Sequence, residues 1–302
     1  MSVLVSGSIA IDNVKTQKAS QENLLGGSAS YAAIAASFFS PVGMVGVVGH
    51  DFPKEHLELF RRRNINLDGV EFSEGETFRW SGEYMEDMNE RETLSVALNV
   101  LESWQPSVAD SQKSATTVNL LANAHPLNQH AVVDQLGDGP SFTIADTMDL
   151  WIQISRHELE NLLKRIDLLV LNDGEAKLMM DTSNVVSAGH RLREMGPKYV
   201  IIKKGEHGAM LITRDALVSL PVYPTEKVKD PTGAGDCFAG GMMAYVAKSG
   251  RTDLAALKMS LAYGACVASI AIEDFSMRSL QAADTDTVES RMKQYREMLT
   301  LE

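Results

Sequence analysis

Residues 229–241 read Lys-Asp-Pro-Thr-Gly-Ala-Gly-Asp-Cys-Phe-Ala-Gly-Gly. An extended run, 216–223, precedes this stretch, and a helical pattern follows from about Asp236 to Ala247. A glycine-rich turn that feeds a helix start can aim free N–H groups and the positive end of the helix dipole at one spot. Such a spot suits an anion, phosphate above all. Gly233, Ala234 and Gly235 would supply the N–H groups, and Asp236 would place a carboxylate beside the anion. Two negative groups that close together cost free energy unless the chemistry uses both. One chemistry that does is a base taking the proton of an alcohol as the alcohol attacks a phosphoryl group. At the ordinary carboxylate value of about 3.9, Asp236 would be ionised at neutral pH and a weak base, accepting the proton late. An ordinary capped helix is the plain alternative, since Asp is favoured in a first turn.

Three further groupings could serve the same chemistry. Gly26-Gly27 opens a helix of small residues, 28–37, in which Tyr31 is the large exception; paired glycines let backbone approach a ligand. Asn172-Asp173-Gly174-Glu175 is either a helix-start cap or a set of polar groups for water-mediated contact with Mg²⁺, an ion that keeps several waters. Lys203-Lys204-Gly205-Glu206-His207-Gly208 reads as a turn between the extended runs 200–203 and 209–213, with Lys203 available to phosphate as a point charge. Asp12, soon after the first strand, stands where open α/β sheets bind ligands, or it is a turn residue.

The elements that must position these groups alternate between strand and helix patterns. Apolar runs at 2–6, 42–48, 117–122, 141–145, 167–171 and 199–203 read as strands, with helices at 55–64, up to 136, 156–164 and up to 194. Repeated β-α units predict a parallel sheet with helices on both faces. Asp146 and Asn172 then fall just past strand ends, on the ligand-binding edge. The alternation is interrupted at 76–85 and 91–100, which read as an antiparallel ribbon around a polar turn, 86–90. Phe78, Trp80 and Tyr84 share one face of that ribbon and need cover. The C-terminal part is helical, at 254–272 and 287–299.

Composition narrows the partners. The chain has 302 residues with formal net charge -12, and its one basic run is Arg61-Arg62-Arg63, which disfavours nucleic acid and anionic membranes. No apolar run of the roughly 18 residues needed for a membrane span stands out, and 1–6 lack the basic region of a signal peptide. Two cysteines, Cys237 and Cys266, give neither a disulfide framework nor zinc spacing and fit a reducing cytoplasm; Cys237 reads as a packed thiol. The seven histidines are scattered, there is no Gly-x-Ser-x-Gly elbow, and the dehydrogenase glycine fingerprint is missing.

Asp230-Pro231-Thr232-Gly233-Ala234-Gly235-Asp236 resembles the second signature of the ribokinase-like (PfkB) carbohydrate kinases, Asp-Thr-x-Gly-Ala-Gly-Asp, with Pro231 in place of Thr. Gly26-Gly27 and the residues after it resemble the first signature, with Tyr31 where Asn is common. Residues 46–51 resemble Gly-x-Val-Gly-x-Asp, with Lys54 where a glycine often follows. Asn172–Glu175 and Gly205–Gly208 match Asn-x-x-Glu and Gly-x-x-Gly, so the resemblance covers nearly the whole chain in family order. It implies one domain over 1–302, a parallel sheet flanked by helices, and a small antiparallel β lid inserted at roughly 12–24 and 72–101. It implies an ATP-dependent kinase acting on a hydroxyl of a sugar or sugar-like molecule, with Asp236 as base. Asn172 and Glu175 would handle Mg²⁺, and Lys203, Gly205, Gly208 and Asn172 would border ATP. Asp12, Gly26, Gly27 and Tyr31 would hold the acceptor. A nucleoside is the rival acceptor, supported by Tyr31 and the lid aromatics, and a non-catalytic nucleotide- or sugar-binding protein is the rival class. A homodimer through the lid and a requirement for a monovalent cation stay open.

Overall fold

The computed structural model describes residues 2–88 and 91–300; Asn89 and Glu90 of the expected polar turn lie outside the described residues. Among the described residues thirteen strands follow in chain order: β1 (Ser2–Ser6), β2 (Ala10–Lys15), β3 (Ser20–Gly26), β4 (Val42–Gly49), β5 (Ile65–Ser73), β6 (Phe78–Tyr84), β7 (Arg91–Ala97), β8 (Thr116–Leu121), β9 (Phe142–Asp146), β10 (Leu168–Asn172), β11 (Tyr199–Lys203), β12 (Ala209–Ile212) and β13 (Leu217–Leu220). Nine of them form one sheet in the order β13-β12-β11-β10-β9-β8-β1-β4-β5. It is parallel from β5 to β11, and β12 and β13 add an antiparallel edge. Helices cover both faces, which is why a central strand such as β4 is buried at every residue and reads as an unbroken apolar run.

The helix Ala234–Ser249 packs against the helices Ser28–Ala36 and Leu254–Ala271. Small residues make that approach feasible. A Cβ on Gly240 would lie 2.2 Å from the Ala32 carbonyl oxygen, and one on Gly264 would lie 2.7 Å from the Phe238 carbonyl oxygen. The helix Leu254–Ala271 has the length and composition of a membrane span, but it is mostly buried in the core. Its 18 residues correct the expectation that no apolar run is that long.

The second sheet has the order β3-β2-β6-β7. Its outer pairs are antiparallel, and β2 and β6 run parallel at its centre. Val14, Leu24 and Tyr84 of the lid form a small core closed by Phe275 of the main body, with Trp80 partly buried against it. So Tyr84, and Trp80 in part, find structural cover. The lid is rooted on the main sheet beyond β4. Asp51 accepts from Thr77 N at 2.7 Å and Thr77 Oγ1 at 2.8 Å and pairs with Arg79 at 2.6 Å. Asp12 departs from its expected place beyond a strand end: it lies inside β2. The break at Gly7-Ser8 is short, and the chain leaves the main sheet directly into the lid.

Candidate active site

The candidate site lies where lid strand β2 and the helix Ser28–Ala36 meet the start of the Ala234–Ser249 helix, beside the C-terminal ends of β9, β10 and β11. Gly233 caps that helix in the left-handed region, φ 72°. A Cβ there would meet the Tyr31 ring at 2.3 Å, so the turn can exist over this aromatic floor only with glycine. Gly27 is also left-handed, φ 90°, and a Cβ would lie 2.4 Å from the Ser8 carbonyl oxygen. A Cβ on Gly26 would lie 1.9 Å from a carboxylate oxygen of Asp12. The structure therefore brings Asp12, Gly26, Gly27, Tyr31 and the 233–236 turn together.

Charge in the cleft is concentrated. Asp236 opens toward the cleft but is ringed by protein; burial first, and then Asp146, push its carboxyl up to about 7, while Lys203 and Arg91 pull it down. Asp12, 4% exposed, is pushed up to about 8 by burial and by Asp230, with Arg91 opposing. Among the described residues, Asp12 Oδ1 and the Tyr31 hydroxyl are buried with no hydrogen-bond partner. Burial, Asp230 and Asp12 hold the Tyr31 phenol in its neutral form. Asp230 is spent on structure: its two oxygens accept from Thr232 N and Ser276 N, each at 2.9 Å, and so fix the turn.

At the other end, adjacent strand ends deliver a second group. β9 ends at Asp146, and Asn172 of β10 lies in register with Lys203 of β11. Lys203 Nζ pairs with Asp146 at 2.8 Å and would lie 3.0 Å from a Cβ on Gly235. Burial pulls the Lys203 ammonium down, and Asp146 and Glu175 more than offset it, so it stays charged. Asn172 and Glu175 form a reciprocal capping box: Glu175 N donates to Asn172 Oδ1 at 2.8 Å, and Asn172 N donates to Glu175 Oε2 at 2.7 Å. Burial raises the Glu175 carboxyl to about 7, with Lys203 opposing and Asp146 assisting. Gly205 and Gly208 are both left-handed, φ 53° and 83°, in a tight turn joining β11 to β12, a little beyond Lys203. The hairpin reading of that stretch therefore holds. Cys237 is buried and burial raises its thiol, as a packed cysteine requires.

No group of three or more His, Cys, Asp or Glu side chains able to hold a metal ion occurs among the described residues. Mg²⁺, an ion that keeps several waters, could meet Glu175 only through water at such a site. Residues the sequence reading left outside the site are Asp146, Asp230 and Arg91. Asp146 was legible as a strand-end Asp, and Asp230 was legible within the motif. Arg91 carries no local signal.

Residues 141–282 match the family described as pfkB family carbohydrate kinase. Over 248 residues the chain is 26% identical to the cytidine kinase of Thermococcus kodakarensis, covering 81% of this chain and 88% of that one. It is 28% identical over 273 residues to a nucleoside kinase of Methanothermobacter thermautotrophicus, covering 87% and 82%. Its fold is similar to that of the aminoimidazole riboside kinase from Salmonella enterica, whose crystal structure holds aminoimidazole riboside and an ATP analog. There the TM-score is 0.79 at 17% identity, over 97% of this chain and 100% of that one.

Proposed function

We propose that this chain, a kinase of the PfkB family with an alcohol group as acceptor, moves the γ-phosphoryl group of ATP onto a sugar hydroxyl of a nucleoside. The observation that carries the transfer is the 233–236 turn: a glycine cradle at a helix start, a carboxylate with proton affinity near neutrality, and a buried ammonium beside it. The nucleoside rests on the two relatives aligned along more than four-fifths of this chain. A plain sugar is the second reading, favoured by the family itself; Tyr31, whose ring fills the floor where the family's Asn is common, weighs against it.

In this mechanism the acceptor hydroxyl lies between Asp12 and Asp236. Its oxygen attacks the γ-phosphorus, the bond to the bridging oxygen of ADP breaks, and the hydroxyl proton passes to Asp236. A base of pKa about 7 is better matched to neutral pH than an ordinary Asp. The N–H groups of Gly233, Ala234 and Gly235 take the charge that moves onto the phosphoryl oxygens. Lys203 adds a fixed positive charge, and Gly205 and Gly208 let the backbone approach the nucleotide. Mg²⁺ would neutralise the phosphates, held by Glu175 through water, with the Asn172 amide beside it. Closing the lid excludes water from the transferred group.

The exposed strand β7, with Leu94 and Val96 52% and 53% exposed, suits a homodimer formed lid to lid, which sedimentation would test. Two buried, unpaired cysteines fit a cytoplasmic setting. The function itself is tested by scoring ATP consumption across cytidine, other nucleosides, ribose, fructose and polyols. Turnover confined to plain sugars would sink the nucleoside assignment, and no turnover on any of them would sink the kinase.

A further inference from the structure

Arg91 begins β7 and lies opposite Tyr84 in the pairing of β6 with β7. Its guanidinium carbon stands 5.5 Å from the centre of the Trp80 ring, and its side chain lies near that of Tyr84. The Tyr84 hydroxyl in turn accepts from Thr232 Oγ1 at 3.2 Å, one residue before Gly233. Arg91, Tyr84 and Thr232 therefore form a polar chain from the lid's edge strand to the phosphate turn. The guanidinium itself remains exposed, with donors left over. Such an arginine could be a surface residue stacked on tryptophan. Its position argues otherwise: Tyr84, the residue it pairs with, contacts Thr232 at the head of the 233–236 turn.

The cleft needs a second cation. Asp12, Asp146, Asp230 and Asp236 crowd it, Lys203 is tied to Asp146 at one end, and a nucleotide adds further negative charge. We propose that Arg91 is a catalytic residue supplied by the lid, whose guanidinium grips the oxygens of the transferring phosphoryl group from the side opposite Lys203. The inference rests on the phosphoryl-transfer reading above. A planar fork suits those oxygens as an ammonium does not. Carried on the lid, the group arrives only on closure, so transfer is coupled to a closed cleft and ATP is spared hydrolysis while it is open.

Arg91→Gln and Arg91→Lys test it. The glutamine variant should keep its melting temperature and its KM for ATP within about threefold while kcat falls by roughly 10²–10³, with lysine restoring part. The acid limb of kcat/KM should also move to higher pH, because Asp236 loses one of the two cations that hold its proton affinity down. The charged and titratable groups left around Asp236 are Asp146 and Lys203 from the sheet edge, Asp12 from the lid and Cys237 from its own helix. A merely structural arginine would lower the melting temperature and leave that limb in place, which overturns the proposal, as does wild-type turnover in the glutamine variant. A readout free of turnover is the gain in affinity when aluminium fluoride joins ADP on the enzyme as a mimic of the moving phosphoryl group. Wild type should show the gain and Arg91→Gln should lose most of it; an equal gain in both overturns the role of Arg91. Lack of turnover in wild type on every acceptor overturns the kinase reading instead, and that result is separate from the aluminium fluoride comparison.

Discussion

At the Lys203 end of the site the polar groups have partners: the ammonium pairs with Asp146 at 2.8 Å, and Asn172 and Glu175 each accept from the other's backbone N–H. At the Asp12 end the reverse holds. Asp12 Oδ1 and the Tyr31 hydroxyl are buried without partners, and Asp12 is pushed up to about 8. The first end is built from neighbouring strand ends of the rigid sheet, and the second from a lid strand laid over a helix start. A buried polar atom without a partner is costly, and a ligand hydroxyl that satisfies it recovers that cost. So the Lys203 end is hydrogen-bonded within the protein, and on the proposed function the Asp12 end would be completed by its ligand.

Substitutions at the two ends should therefore diverge, and the residue between them should matter most. Asp236→Asn should lower kcat by roughly 10²–10⁴ with ATP affinity near normal, since the cradle is backbone; turnover near wild type in a folded variant would reduce Asp236 to a helix-start residue. Lys203→Met should destabilise by about 3–5 kcal/mol, because it strands Asp146, 6% exposed at its side chain, without its cation. Adding Asp146→Leu should recover part of the lost melting temperature, and failure to recover would mean that the pair is not what holds this end.

Asp12→Asn should do the opposite. A carboxyl whose folded value is raised binds its proton more tightly folded than unfolded, so it costs stability increasingly as pH climbs from about 4 toward 8. The asparagine variant should gain melting temperature over wild type, by more at pH 8 than at pH 5, equivalent to roughly 2–5 kcal/mol at most, while KM for the acceptor rises. A gain independent of pH would place Asp12 among ordinary ionised carboxylates. The smallest effect belongs to Glu175→Gln, where the amide oxygen can keep the Asn172 N–H contact. The Mg²⁺ giving half-maximal rate should rise several-fold, whereas an unchanged requirement would leave Glu175 a cap and nothing more.

Much of the main sheet was legible because its strands are short apolar runs followed by helical periods, and each strand end exposes one polar residue, as at Asp146 and Asn172. β3 and β5 were not read: Ser-Gln-Glu-Asn-Leu-Leu-Gly and Ile-Asn-Leu-Asp-Gly-Val-Glu-Phe-Ser have neither clean alternation nor an apolar run. Partly exposed edge and lid strands are under weaker pressure to show either pattern. The phosphate turn was readable since its parts are consecutive. The Lys203–Asp146 pair spans 57 residues and the Tyr84–Thr232 contact 148, so both depend on a topology that no local window contains.

The Tyr31 ring lies against Gly233, leaving no room for even a methyl group between them. Floor and turn thus form one mechanical piece. On the proposed function, an acceptor resting on the ring would press on the turn, and a nucleotide settling the turn would settle the ring. By reciprocity, whatever factor the acceptor added to nucleotide affinity the nucleotide would add to acceptor affinity, each substrate an effector of the other through a single aromatic contact.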